Sequence, residues 1–233
     1  HVVVDGRTTL GDENRIFPFA AVGTAPQDLK YEGEPSTLSI GDKNIIREYV
    51  TLQPGTKGGG MKTTIGSMNL FMACSHIGHD SSIGNGNVFA NSCAISGHVD
   101  VGSFVIVGGL AGVHQFVRLG DHCFLGAGAM VAQDIPPFVF AEGNRAQIAG
   151  INKIGLKRRG FSPAEIRVLF RVFQETFYGE GAFRERVLRL YEEYRENEYA
   201  AQFFKFISES RRGIASGRKV GSDTVDNDSD QAS

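Results

Sequence analysis

The sequence predicts a β-solenoid: a parallel β-helix of six-residue repeats, followed by an α-helical C-terminal domain. Three observations predict it. Every sixth residue from Ile65 to Val131 is apolar. Glycine directly follows seven of those twelve positions and supplies 30 of the 233 residues in all. Beyond Gly160 the apolar spacing changes to that of a helix.

The repeat runs Ile65, Phe71, Ile77, Ile83, Phe89, Ile95, Val101, Val107, Val113, Leu119, Leu125 and Val131. With 41% hydrophobic residues, twelve in succession arise by chance about 2 × 10⁻⁵ of the time at a fixed phase. Earlier pieces obey the same rule, at Val4, Leu10, Ile16 and Val22, then at Ile40, Ile46 and Leu52. Neither the 3.6-residue helical period nor the 2-residue strand period puts one obligatory apolar residue in six. A coil of three short strands does. Each hexad makes one flat side, its aliphatic residue points inward, and glycine or asparagine is expected to take the unusual dihedrals at the corner. Eighteen residues return the chain to the same corner, about 4.8 Å up the stack.

Two segments interrupt the rhythm, residues 24–37 and residues 54–64 with Gly58-Gly59-Gly60. Insertions into a rigid solenoid become loops on a face. The first reads as a functional loop and the second as a plain surface loop. The prism is expected to end at Pro136-Pro137, giving a repeat domain over residues 1–140. Residues 141–212 then hold a connecting stretch and the helical domain. Ser162-Pro163-Ala164-Glu165 is a capping box with proline at the first helical position. Ile166, Leu169, Phe170 and Phe173 follow at helical spacing, and two more helices are expected near Phe183–Arg195 and Tyr199–Ser208. Residues 213–233 lack periodicity and read as a disordered acidic tail.

Composition narrows the function. No run approaches 18 apolar residues, so no helix is expected to insert stably in a membrane. Three cysteines, Cys74, Cys93 and Cys123, have no paired spacing, and no export signal precedes them. They read as reduced thiols of a cytoplasmic protein. The net charge of −2 hides a division: residues 1–150 carry 9 basic and 13 acidic side chains, residues 151–219 carry 15 and 9. The second half is therefore +6, and a negatively charged partner is expected there.

Counting by hexads gathers histidines. His79, Gly97, Gln115 and Gln133 hold equivalent places and form one column, eighteen residues apart. His98 and His114 lie in hexads of that column, and His76 ends the hexad before His79. Histidine is the natural general base near neutral pH. Asp80 adjoins His79 and can fix its tautomer. Gly97, one coil away, offers a backbone N–H with no side chain in front, a candidate oxyanion donor. No serine or cysteine shares the column, so direct transfer is favoured over a covalent intermediate. Lys157-Arg158-Arg159 is a cationic step suited to phosphate.

The runs His76-Ile77-Gly78-His79-Asp80, Ser96-Gly97-His98-Val99, Val113-His114-Gln115-Phe116 and Gly155-Leu156-Lys157-Arg158-Arg159-Gly160-Phe161, with Gln27–Pro35, closely resemble the acyl-[acyl-carrier-protein]–UDP-N-acetylglucosamine O-acyltransferases. The resemblance covers roughly residues 1–213. It implies a left-handed β-helix and a homotrimer with active sites between neighbouring prisms. It also implies transfer of a (3-hydroxy)acyl chain from acyl carrier protein to the 3-position of UDP-N-acetylglucosamine, the first step of lipid A biosynthesis. His79 would be the general base, Asp80 its orienting group and the Gly97 amide the oxyanion donor. His76, His98 and Gln115 would position the sugar and diphosphate, with Asp28 and Lys30 assisting and His114 in the same cleft. Asn152, Arg158 and Arg159 would hold the nucleotide end, and Ala127 would lie where acyl length is measured. No bound cofactor or metal is implied, since the phosphopantetheine arrives on the carrier protein, and neither is a nucleic acid. Relative to the family the chain is expected to lack its opening coils. Two other readings remain: a zinc enzyme like the gamma-class carbonic anhydrases, with three imidazoles on the metal, and a non-catalytic scaffold solenoid.

Overall fold

A computed structural model describes residues 1–218. The chain winds into a left-handed parallel β-helix whose three faces are sheets of seven, six and eight strands. The first face includes His76–Ile77, Ala94–Ile95, Gly112–Val113 and Met130–Val131, and the second Ser82–Ile83, Asp100–Val101 and Arg118–Leu119. The third includes Val88–Phe89, Ile106–Val107 and Phe124–Leu125. Neighbours are parallel and in register at steps of eighteen, as in His76↔Ala94 and Ala94↔Gly112. All twelve predicted inward residues are buried, none more than 4% exposed. Each such side chain contributes about 1.5–3 kcal/mol of burial. Val4 and Leu10, at the same inward places in the opening turn of this sequence, are exposed.

The repeat glycines have a different cause from the one expected. Gly66, Gly78, Gly84, Gly102, Gly108, Gly120 and Gly126 all have ordinary φ. They are needed for close approach between coils: a Cβ on Gly78 would stand 2.7 Å from the Gly97 amide nitrogen. The left-handed residue comes two places later, and it is mostly not glycine: Met68, Asp80, Phe104, Leu110 and His122 all have φ near +60°. At the corner between the second and third faces, buried asparagines form a ladder. Asn44 Nδ2 donates to Asn14 Oδ1 at 3.0 Å and to the Gly66 carbonyl at 3.0 Å, and Asn69 repeats this onto Asn44 and Gly84. The rungs satisfy corner carbonyls that no strand reaches.

Pro136-Pro137 does not end the prism. Strand Val139–Glu142 continues the third face, pairing parallel with Phe124–Leu125, and then turns back antiparallel as Gln147–Ile151. The prolines sit in the corner between Ile135 and this strand, where no ladder N–H is required. Among the described residues four helices follow: α1 (Lys153–Arg158), α2 (Pro163–Tyr178), α3 (Phe183–Glu193) and α4 (Glu198–Ser208). α1 falls in what reads as a connecting stretch. Its short length leaves no periodic signal, and Asn152 caps it from a buried position. The Ser162–Glu165 capping box is formed as expected. Leu169, Val172, Phe173, Leu190, Phe203 and Phe204 make the helical core, whereas Phe170 faces outward beneath the Lys153 ammonium.

Residues 213–218 do not belong to a loose tail. Ile214 bridges Asp134 and Gly217 bridges Ile148, both parallel, so the chain returns to the top of the prism. The rest of the expected tail, residues 219–233, lies outside the described residues. No helix among the described residues is long and apolar enough to cross a membrane.

Candidate active site

The corner between the first and second faces carries the histidine column. The coil-to-coil step sets His79 against Gly97: a Cβ at position 97 would lie 2.6–3.0 Å from three atoms of the His79 ring. Glycine here makes room for the imidazole. The Gly97 amide has no acceptor among the described hydrogen bonds, and its carbonyl accepts from the Phe116 N–H at 3.4 Å.

His79 Nδ1 lies 2.8 Å from Asp80 Oδ2, with the His79 side chain 17% exposed and the Asp80 side chain fully buried. A carboxylate accepts only, so Nδ1 carries the proton and Nε2 is left as an acceptor. The His98 ring meets His79 edge-on at 5.0 Å and stacks on Phe116 at 4.5 Å. Burial holds the His98 imidazole below its usual pKa, although the Asp80 and Asp28 carboxylates pull it upward. The first excursion thus brings Asp28 near the column. Asp28 Oδ1 accepts from the Lys30 N–H at 3.0 Å, and the Lys30 side chain is exposed. His76 lies one step round on the first face, its Nδ1 2.7 Å from Thr51 Oγ1. Burial, with His79 nearby, holds its pKa down as well. His114 Nδ1 accepts from Arg212 Nη2 at 2.9 Å, so the Gln115 carbonyl at 3.1 Å is a neighbour rather than a partner. The Gln115 side chain is exposed on the same corner.

The second excursion holds what the sequence reading missed. Thr56 donates its N–H to both Asp80 carboxylate oxygens, at 2.9 and 3.0 Å, and its hydroxyl to Oδ2 at 2.6 Å. Thr63 Oγ1 accepts from the Asp80 N–H at 2.7 Å. The signal was the glycine run: a Cβ on Gly59 would meet the Asp80 carboxylate, so this loop closes onto a side chain.

Other predicted residues lie elsewhere on the chain. Asn152 Oδ1 accepts from the Gly155 N–H, and its Nδ2 donates to the His122 carbonyl at 2.9 Å. Arg158 and Arg159 line an open cavity of about 830 Å³ on the third face, with Phe124, Phe140 and Ile154. Arg159 lies over the Phe104 ring at 4.4 Å. Ala127 is exposed at the corner between the third and first faces. One chain therefore presents the histidine column and the cationic step on different edges.

His79, Asp80 and His98 place potential ligand atoms within 4.8 Å of one another. That set is two imidazoles and a carboxylate already accepting from Thr56 and His79, with His76 turned to Thr51. It does not fit the three imidazoles that the zinc reading requires.

A prism of six-residue coils, with a His–Asp pair at one corner and a helical cap, defines a hexapeptide-repeat transferase. Residues 134–215 match the profile described as UDP N-acetylglucosamine O-acyltransferase, domain 2. The chain is 48% identical over 209 residues to the acyl-[acyl-carrier-protein]–UDP-N-acetylglucosamine O-acyltransferase of Myxococcus xanthus, covering 90% of this chain and 81% of that protein. It is 42% identical to that of Nautilia profundicola, covering 91% and 82%. The UDP-N-acetylglucosamine acyltransferase structure from Campylobacter jejuni superposes with a TM-score of 0.87 at 40% identity, over 93% of this chain and 84% of that one. The chain belongs to the acyl-[acyl-carrier-protein]–UDP-N-acetylglucosamine O-acyltransferase family.

Proposed function

We propose that this acyltransferase moves a (3-hydroxy)acyl chain from acyl carrier protein to the 3-hydroxyl of UDP-N-acetylglucosamine, opening lipid A biosynthesis. The observation that carries the mechanism is the His79–Asp80 pair seated against the open amide of Gly97. His79 Nε2 takes the proton of the sugar hydroxyl as its oxygen attacks the thioester carbonyl. The resulting oxyanion is received by the Gly97 N–H. Collapse breaks the carbon–sulfur bond, and the phosphopantetheine thiolate leaves with the proton returned by His79. Asp80 steadies the transient imidazolium. The chain itself supplies no cofactor to this sequence, and the carrier brings the phosphopantetheine.

His76, His98, His114 and Gln115, with Asp28 and Lys30, bind sugar and diphosphate in this reading. Asn152, Arg158 and Arg159 act on the nucleotide from a neighbouring copy, and Ala127 bounds the acyl chain. The separation of the two groups on one chain supports a homotrimer in which clefts between prisms join them. The basic helical half suits an acidic carrier protein. A cytoplasmic setting agrees with three free cysteines, of which Cys93 is buried with its thiol pushed up to about 12. The test is acyl transfer from acyl carrier protein to UDP-N-acetylglucosamine with purified His79→Gln. The expected loss in kcat is about 10²–10⁴-fold, and a variant within about tenfold of wild type overturns the assignment.

A further inference from the structure

We propose that Thr56 is a positioning residue for the transfer reaction, its hydroxyl selecting the carboxylate oxygen of Asp80 that holds His79. This rests on His79 being the base, as proposed above. Asp80 is a fully buried carboxylate whose sole ion-pair partner among the described residues is His79. A buried carboxylate must be met by donors. It has four such contacts, and Thr56 supplies three of them.

The two groups of Thr56 do different things. Its amide is shared almost equally between the two oxygens, at 2.9 and 3.0 Å, so it stabilises the charge without choosing an orientation. Its hydroxyl, at 2.6 Å, goes to Oδ2, the same oxygen that receives His79 Nδ1. That bond fixes the carboxylate plane, and the plane fixes the imidazole. The Asp80 N–H cannot do this, because it is already given to Thr63 Oγ1.

The surrounding loop is built to hold Thr56 in place. The Thr56 carbonyl accepts from the Gly59 and Met61 N–H groups, and the Gly55 N–H donates to the Thr37 carbonyl. From the other excursion, Glu34 Oε1 accepts from the Lys57 N–H at 2.8 Å. Gly59 lies so close to the Asp80 carboxylate that a Cβ would stand 2.0 Å from its carbon. The two loops thus brace each other, and the inner one covers the side chain that orients the base.

The experiment compares Thr56→Val, which keeps shape and amide, with Thr56→Ser, which keeps the hydroxyl. Steady-state kinetics with acyl carrier protein thioester and UDP-N-acetylglucosamine are read beside the His79 Nδ1 proton in NMR spectra of ¹⁵N-histidine-labelled resting enzyme. Thr56→Val is expected to lower kcat about ten- to hundredfold with KM for the sugar nucleotide within about twofold. Its Nδ1 proton is expected to exchange faster and move upfield, and Thr56→Ser is expected to restore both. If Thr56→Val does not fold, Gly59→Ala, which pushes the loop off the carboxylate, is expected to give the same kcat loss and NMR change. Unchanged kcat and an unchanged Nδ1 signal in the folded variant overturn the proposal, as does a loss confined to KM. A fully active His79→Gln overturns the base assignment instead, and the NMR link between positions 56 and 79 separates the two failures.

Discussion

His98 and His122 hold equivalent places in the repeat, four hexads apart, and share a left-handed backbone with φ of 60° and 58°. Their surroundings differ completely. His98 stands beside His79 and Phe116, with the Asp80 and Asp28 carboxylates near enough to pull its pKa upward. His122 lies between Phe104 and Phe138, edge-on to Phe161, with burial as the main cause of its lowered pKa. The repeat fixes where a ring is presented, and its neighbours, from within the prism and from outside it, decide its chemistry. At the first corner the two excursions add the Asp28 carboxylate and the Thr56 donors to Asp80, which the repeat itself supplies. At the second corner the prism supplies Phe104 and Phe138, and the helical domain adds Phe161.

Breaking the polar corner should give the largest effects. Asp80→Asn is expected to lower kcat about a thousandfold, because an amide offers His79 Nδ1 a donor as readily as an acceptor. Acyl-transfer kinetics on the folded variant decide this, and a loss under about tenfold contradicts it. Gly97→Ala should cost about a hundredfold in kcat, since the new methyl displaces the His79 ring. Unaltered turnover there means that the imidazole and the amide do not act together.

The aromatic corner should respond in stability instead. Phe138 is 1% exposed and packs with His122, Phe161 and Tyr199. Phe138→Ala is expected to cost about 3–5 kcal/mol in chemical denaturation, with kcat per folded molecule unchanged. The smallest effect concerns pH. Burial holds the His122 imidazole of the folded state below its ordinary pKa of about 6.5, so the unfolded chain binds the extra proton and stability falls as pH drops through that region. His122→Phe should therefore show a smaller fall in Tm between about pH 7.5 and 5.5 than wild type. Some slope should persist, because His76 and His98 are shifted the same way. An identical slope would mean that His122 does not contribute.

The hexad pattern made the three faces and the histidine corner legible because both follow from counting by eighteen. Gly97 was visible for the same reason. Thr56 was not, since its contact with Asp80 spans 24 residues through an insertion that breaks the count. The asparagine ladder was hidden too: Asn14, Asn44, Asn69 and Asn87 share a register only after both excursions are looped out. The strand after Pro136-Pro137 was missed because proline forbids a ladder N–H but not a corner. The repeat glycines are legible as positions, but the reason for them is not, since a sequence displays spacing and not the distance to the next coil.

The return of residues 213–218 to the top of the prism turns the helical domain into a closed circuit. Ile214 pairs eighty residues back with Asp134, and the Asp134 side chain also accepts from the Arg118 N–H and the Ser210 hydroxyl. Pairings this distant in sequence form late, once the coils and helices that flank them exist. Entry and exit of the helices are therefore moored to one ledge. Amide exchange should find them opening together with the last coils as one cooperative unit, rather than peeling away from the chain end.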